Sequence, residues 1–358
     1  MKLQNIRLKN VVTVCLTVAV WLGLSAWCIL GKTDDYSESE RRILAEFPEV
    51  TAESVLSGEF AADFEDYAVD HFPARDSWRS IKAYTRLGIF RQKDNNGIYS
   101  RDGHLSKLEY PMNTAMADHA ISRLTAIKDK YLADNSIYFA MIPDKNLYLA
   151  ELTLDYAAFN AYMNDGLAFA APIELTDLLE SDDYYRTDTH WRQEKITDVA
   201  DRIAAAMGAN LSGDYREVAV DAPFNGVYVG QSALKCTPDS ISYLINPVIE
   251  DLQTEGAAAV YDLPKAEGRD PYEMFLSGNQ PVITIRNPQN ADGGRLVIFR
   301  DSFGSAIAPL LAEAYAETVL IDLRYVSGDM LGEFVDFSDA DVLFLYSTLL
   351  LNNSLALK

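Results

Sequence analysis

Apolar residues follow three different rhythms along this chain. From Val11 to Gly31 a run of uncharged, mostly apolar residues continues without a break, with Lys2, Arg7 and Lys9 before it and Lys32, Asp34 and Asp35 after it. Wound as a helix, such a run spans about 30 Å, the thickness of a bilayer's hydrocarbon core. Residues 11–31 are therefore predicted to cross a membrane as an anchor, with residues 1–10 held in the cytoplasm by their positive charge and the remainder outside it. A cleaved signal peptide would begin in the same way, but no clean A-x-A site is present, and Trp21 and Trp27 suit one poorly. Trp27 is also too large for the small position that precedes a lipid-modified cysteine, so Cys28 is read as an ordinary residue of the apolar helix. Residues 32–50, charged and rich in Ser, Glu and Pro, read as a linker.

The second rhythm has the helical period. Val55, Leu56, Phe60, Phe64 and Tyr67 predict a helix over about 52–69. Ile121, Leu124, Ile127 and Tyr131 predict one within 115–134, and Ile196, Val199, Ile203 and Met207 one over 192–207. The third rhythm is the short continuous apolar run of a buried strand, found at 136–142, 296–299, 318–321 and 342–346, with a helix of small residues at 303–315. Strands and helices alternating in this way predict an α/β fold, a mostly parallel sheet covered on both faces, occupying 51–358 as one exported domain. Within it, about 210–290 reads as an irregular β-containing insertion. The charged turn Asp70 to Asp76, with Asp70, His71 and Arg75 around Pro73, is expected to cap the helix before it.

Composition narrows the chemistry. The 358 residues are 49% hydrophobic, ample for a large core. A formal net charge of −22 makes wrapping a nucleic-acid backbone unfavourable. The three cysteines include no C-x-x-C pair, only Cys236 lies beyond the anchor, and the four histidines are scattered at 71, 104, 119 and 190. No disulfide framework or structural zinc cluster follows, and no metal or organic cofactor is called for. The chemistry must use hydroxyls, carboxylates and very few imidazoles.

In an open α/β sheet, functional groups gather beyond the carboxyl ends of strands. The strand 296–299 runs into Arg300, Asp301, Ser302, Phe303 and Gly304, which places Ser302 at a strand-to-helix turn where backbone N–H groups can stabilise an oxyanion. Serine at such a turn also serves as a plain N-cap. A second segment, Tyr184 to Trp191, sets Asp188 two residues before His190, the acid and imidazole that would activate a serine. The same pair can ligate a metal, which would want two or three further ligands that His71 and His104 supply only by folding together with it. Arg324 and Tyr325 follow a strand end and are candidates to bind a substrate in the same crevice, although Arg324 can equally pair with Asp322. Arg300 is a further binding candidate, and Asn146, past a strand end, a candidate oxyanion donor. His104 and His119 read as loop and helix-surface residues without a role.

The strings D-T-H-W at 188–191, R-D-S-F-G at 300–304 and I-D-L-R-Y at 321–325, in this order, resemble the DHHW protein family. They are also similar to the alginate O-acetylation proteins AlgJ and AlgX, whose domain is a permuted relative of SGNH hydrolases. The likeness covers most of 45–350, including 70–76, 96–107 and 142–145, and it departs from the DHHW pattern only in Thr189. It implies a three-layer SGNH hydrolase-like sandwich in permuted order. It also implies Ser302 as nucleophile, His190 as base and then acid, and Asp188 as the residue that orients the imidazole. The implied activity is acetyl transfer to a cell-surface polysaccharide, or hydrolysis of its acetyl esters. A membrane-bound O-acyltransferase would be the acetyl supplier. The alternative is a catalytically silent glycan-binding or assembly protein of a cell-envelope modification system. A polyanionic glycan would need a local basic track, for which Arg186, Arg192, Arg300 and Arg324 are the candidates.

Overall fold

The computed structural model describes residues 2–30, 34–149 and 153–358. The chain divides into two compact units, one of residues 1–93 with 230–234 and the other of 94–229 with 235–358.

The first unit begins with helix α1, Lys2–Leu30. Its stretch Leu8–Cys28 has a mean hydropathy of 2.0 and is long and apolar enough to cross a membrane, as an anchor or as a signal sequence. Gly31, which ends the expected anchor, and Lys32 and Thr33 of the expected linker lie outside the described residues. The rest of that linker is not all irregular. Tyr36–Ser37 (β1) pairs with Arg42–Ile43 (β2) in a small antiparallel hairpin, held by ion pairs that composition alone does not reveal.

The helix expected over 52–69 is two helices, α2 (Ala52–Ser57) and α3 (Glu59–Asp70). Thr51 caps α2 through Ser54, and Gly58 breaks the run at φ 85°, a left-handed conformation that costs glycine little. Asp70 does not act as a cap. It takes the guanidinium of Arg42 (2.7 Å to Oδ2) and the N–H of Ala45 (2.9 Å), and Arg42 holds its carboxyl down to about 2. Helix α4, Arg75–Tyr84, follows.

In the second unit, β3 (Ile98–Arg101) and β4 (His104–Lys107) form a hairpin and α5 (Thr114–Tyr131) leads into the sheet. The sheet strands are β5 (Ile137–Ile142), β6 (Ala171–Ile173), β9 (Gln253–Glu255), β10 (Val282–Arg286), β11 (Arg295–Arg300), β12 (Glu317–Ile321) and β13 (Ala340–Ser347). Arg216–Phe224 (β7) and Asp239–Ile245 (β8) form a separate hairpin. The seven strands lie in the order β6-β5-β13-β11-β12-β10-β9. From β6 to β12 every pairing is parallel, and β10 and β9 add an antiparallel edge.

Strand β11 explains why both faces are covered. Leu296 and Ile298 point into one core with Val199 and Ile203 of the helix Thr197–Ala206 and with Ile307 and Leu310 of the helix Gly304–Leu311. Val297 and Phe299 point into the other, with Leu124 and Ile127 of α5 and with Phe159 and Met163 of the helix Tyr156–Gly166. A two-residue alternation that is apolar on both sides can only be satisfied between two helical layers. The result is the expected three-layer sandwich.

Two further expectations change. Residues 210–290 are not wholly an insertion, since β9 and β10 extend the main sheet. The helix expected over 192–207 starts only at Thr197, because 193–195 form a tighter turn that frees the Gln193 side chain to bond Ala306 O (2.6 Å) and Leu244 N (2.7 Å).

Phe299 is fully buried and stacks on Phe337 at 6.2 Å. Phe299→Ala is expected to cost about 3–5 kcal/mol, read as a lowered denaturant midpoint with an unchanged slope.

Candidate active site

Ser302 lies in the turn between β11 and the helix that starts at Gly304. That turn is tied down from within. The Asp301 carboxylate accepts the N–H of Phe303 (3.0 Å) and, across the sheet, the N–H of Ser347 at the end of β13 (2.9 Å). Gly304 is required at the helix start, because a Cβ there would sit 2.6 Å from Cβ of Arg300.

The segment 183–192 doubles back on itself, with Tyr185 N bonded to His190 O (3.0 Å) and Arg192 N to Asp183 O (2.8 Å). Its tip presents Asp188 and His190. The imidazole links the two segments: Nδ1 meets Asp188 Oδ1 at 2.6 Å and Nε2 meets Ser302 Oγ at 2.8 Å. The indole of Trp191 donates to Phe303 O (3.1 Å), a second tie between the same segments. The imidazole is buried, lying flat on Tyr272 with centroids 3.8 Å apart and planes 10° apart, and against Phe303 at 4.9 Å. Its plane is therefore set by packing as well as by hydrogen bonds. Asp188, 1% exposed, has its second oxygen occupied by the N–H of Val227 (2.8 Å).

The most informative residue at the site was not singled out from sequence. Lys145 is fully buried, and its ammonium donates to Tyr185 O (2.8 Å), Asp188 O (2.7 Å) and, more weakly, Arg186 O (3.4 Å). Burial pulls it down to about 8, opposed by the neighbouring Asp144 carboxylate. The outer side of the same loop is held by Asp239, which accepts from Arg186 N (3.0 Å), Thr187 N (2.8 Å) and Thr187 Oγ1 (2.6 Å). Gly226 packs against it so closely that a Cβ would lie 2.3 Å from the carbonyl of Thr187. Gly226, Val227, Asp239 and Tyr272 all come from the region expected to be an irregular insertion. Only the lone glycine among turn residues and the charged lysine next to an apolar strand gave any signal of this.

The other candidates stand elsewhere. Asn146 is turned toward the β3–β4 hairpin: its amide donates to Lys107 O, and its carbonyl accepts from Tyr99 (2.6 Å) and Ser106 (3.1 Å). That placement runs against its expected role as an oxyanion donor. Arg324 grips Asp322 with two hydrogen bonds (2.9 and 2.6 Å), the pairing alternative, and half-exposed Tyr325 lies beneath its guanidinium at 5.5 Å. Arg300 is buried 3.6 Å from the same carboxylate. With Arg192 paired to Glu194 at 2.7 Å, three of the four arginines of the expected basic track are matched to acids. His104 is not a loop residue: it is buried on β4, 3.3 Å from Asp182. His119 bonds Ser354 (3.0 Å).

Glu109 and Asp144 lie buried side by side with Thr348 between them, its hydroxyl accepting Asp144 N (3.2 Å) and meeting Glu109 at 3.4 Å. Burial, reinforced by Asp144, pushes Glu109 up to about 8, and burial raises Asp144 to about 6.

No protein-family model matches the chain and no curated protein matches it. Solved structures do. A DHHW family protein from Eubacterium siraeum is 20% identical, with 72% of this chain and 93% of that one aligned at a TM-score of 0.57. Bacillus cereus PatB1, in a structure carrying a sulfonyl adduct, is 19% identical over 71% of this chain and 95% of its own, TM-score 0.55. The O-acetyltransferase domain of Pseudomonas putida AlgJ is 14% identical over 72% and 92%, TM-score 0.44. The fold is thus shared with the DHHW family protein and with PatB1.

Lys145→Met leaves at least two buried carbonyls unsatisfied and is expected to cost about 2 kcal/mol or more, measured by urea denaturation. Glu109 ionises near 4.5 in the unfolded chain but keeps its proton to about 8 in the fold. The native state therefore loses stability as pH rises between those values. Glu109→Gln is expected to match the parent's melting temperature near pH 4.5 and to exceed it increasingly toward pH 8. A gap constant over that window would contradict the assignment.

Proposed function

We propose that this chain is a serine-dependent acetyl-transfer enzyme of the cell envelope, acting outside the cytoplasm on glycan hydroxyls or their acetyl esters. The observation that carries the reading is the continuous line Asp188–His190–Ser302, at 2.6 and 2.8 Å, assembled from segments 112 residues apart. An N-cap serine needs no such partner. Both imidazole nitrogens are engaged, one by the acid and one by the hydroxyl, as serine activation requires.

In this mechanism His190 Nε2 takes the proton of Ser302 as Oγ attacks the acetyl carbonyl. The negative charge that develops on the carbonyl oxygen is met by backbone N–H groups of the turn that carries Ser302. Collapse breaks the bond to the donor oxygen, which leaves with the proton from His190, and the acetyl group remains on Ser302. An acceptor hydroxyl then gives its proton to His190 and attacks the acyl-serine, and the imidazolium returns that proton to Ser302 Oγ as the acyl–Oγ bond breaks. A sugar as acceptor makes the chain a transferase, and water makes it an esterase. Asp188 stabilises the imidazolium in both half-reactions. A membrane-bound acyltransferase is the partner that would supply acetyl groups to an enzyme tethered on the far side.

Support also comes from the motifs, which resemble those of the DHHW family, a member of which shares this fold. PatB1 carries a sulfonyl adduct, and an activated serine is a nucleophile of the kind such reagents trap. Purified protein is expected to hydrolyse p-nitrophenyl acetate and to gain one sulfonyl group on Ser302 from a sulfonyl fluoride. Ser302→Ala and His190→Ala are each expected to lose on the order of 10²–10⁴ of the rate. Equal release from all three proteins would end the enzyme reading in favour of a silent glycan-binding protein. Loss on chelation with survival of Ser302→Ala would point to a metal hydrolase instead.

A further inference from the structure

The segment from Arg75 to Lys93 differs in charge from the rest of the chain. It holds six basic residues against the single acid Asp76, in a protein of formal net charge −22. It also exposes large apolar side chains one after another: Trp78, Ile81 and Tyr84 on α4, then Ile89 and Phe90 in the turn after it, each with half or more of its surface open. Lys82, Arg91 and Lys93 are exposed among them. Trp and Tyr interleaved with Lys and Arg is the composition of a segment that lies in a bilayer interface, with rings at headgroup depth and cations on anionic lipid.

Its position in the chain agrees. The β1–β2 hairpin starts at Tyr36, six residues beyond the end of α1 at Leu30, a reach of at most about 20 Å. Helix α4 is bound to that hairpin: Glu40 pairs with both Arg75 and Arg79 (3.0 Å to Arg79), and Ser39 donates to Asp76 (2.9 Å). A hairpin tethered this closely to a membrane span keeps α4 within reach of the headgroups. Of the other acids of this unit, Glu53, Glu59, Asp63, Glu65 and Asp66 lie on α2 and α3, Glu40 and Asp70 are paired with Arg75, Arg79 and Arg42, and Asp34, Asp35, Glu38, Glu46 and Glu49 lie in the hairpin and the chain on either side of it.

We infer that residues 75–93 form a membrane-surface foot, in which Trp78, Ile81, Ile89 and Phe90 enter an anionic leaflet and Lys82, Arg91 and Lys93 meet its headgroups. The inference rests on α1 being a retained anchor. It concerns how the protein stands on the membrane and is independent of the chemistry at Ser302.

The test uses the full chain reconstituted into vesicles of phosphatidylcholine alone or mixed with anionic phosphatidylglycerol. Co-flotation after a carbonate wash reports the anchor, and amide hydrogen exchange of 75–93 reports the foot, with α5 as internal control. Exchange in 75–93 is expected to slow at least about fivefold on the anionic vesicles and to recover in high salt. Trp78→Ser with Phe90→Ser, and separately Arg91→Glu with Lys93→Glu, are expected to abolish the slowing while α5 is unchanged. Chains retained in the bilayer with identical exchange on both lipids would overturn the foot and leave this face to a protein partner. Chains released by carbonate would remove the anchor, and the foot with it, without bearing on the esterase assay.

Discussion

A loop buried at the end of a sheet cannot satisfy its own backbone, and the whole site depends on how that problem is solved here. Peptide groups of 185–190 that lose water must find partners elsewhere. The ammonium of Lys145 supplies donors to the inner carbonyls, and the carboxylate of Asp239 accepts from the outer N–H groups. The N–H groups of Gly226, Val227 and Tyr228 occupy Thr187 Oγ1, Asp188 Oδ2 and Thr187 O. Each bond made is worth only about 1 kcal/mol net, but each one left unmade costs about 1–3. The loop is therefore stable fully seated and unstable halfway. Asp188 and His190 inherit their precision from that condition.

Charge beside the site follows the same logic. Arg300 is fully buried, which is tolerable only near an acid, and Asp322 serves it and Arg324 together. Arg300 Nε and Nη2 have no hydrogen-bond partner among the described residues. Its guanidinium is thus neutralised but not saturated, one residue from Asp301, whose carboxylate organises the Ser302 turn.

The parts of this arrangement that were legible in the sequence are those written locally. Continuous apolar runs such as 296–299 mark strands buried on two faces, and an acid, a histidine and a serine next to element boundaries marked the residues that meet. Gly58 inside a helical pattern was a legible break that the apolar spacing overrode. The supports were not legible, because their meaning is spatial. A lysine after a strand reads as a solvent-facing residue until its carbonyl partners, 40 to 43 residues away, are known. Tyr272 reads as one more aromatic in an aperiodic stretch, although its ring fixes the plane of His190. Asn146 drew attention for its position past a strand, yet the adjacent lysine holds the loop.

The sheet order also bears on how the protein comes into being. Strand β13, residues 340–347, fills the gap between β5 and β11, so neither of those strands has its inner neighbour until it arrives. In a chain made from its amino end, the edge of β5 stays open to pairing with other chains from residue 142 and that of β11 from residue 300 until β13 is complete. Assembly of the central layer is then a single late event. The halves β6-β5 and β11-β12-β10-β9 are joined only when this last strand enters between them.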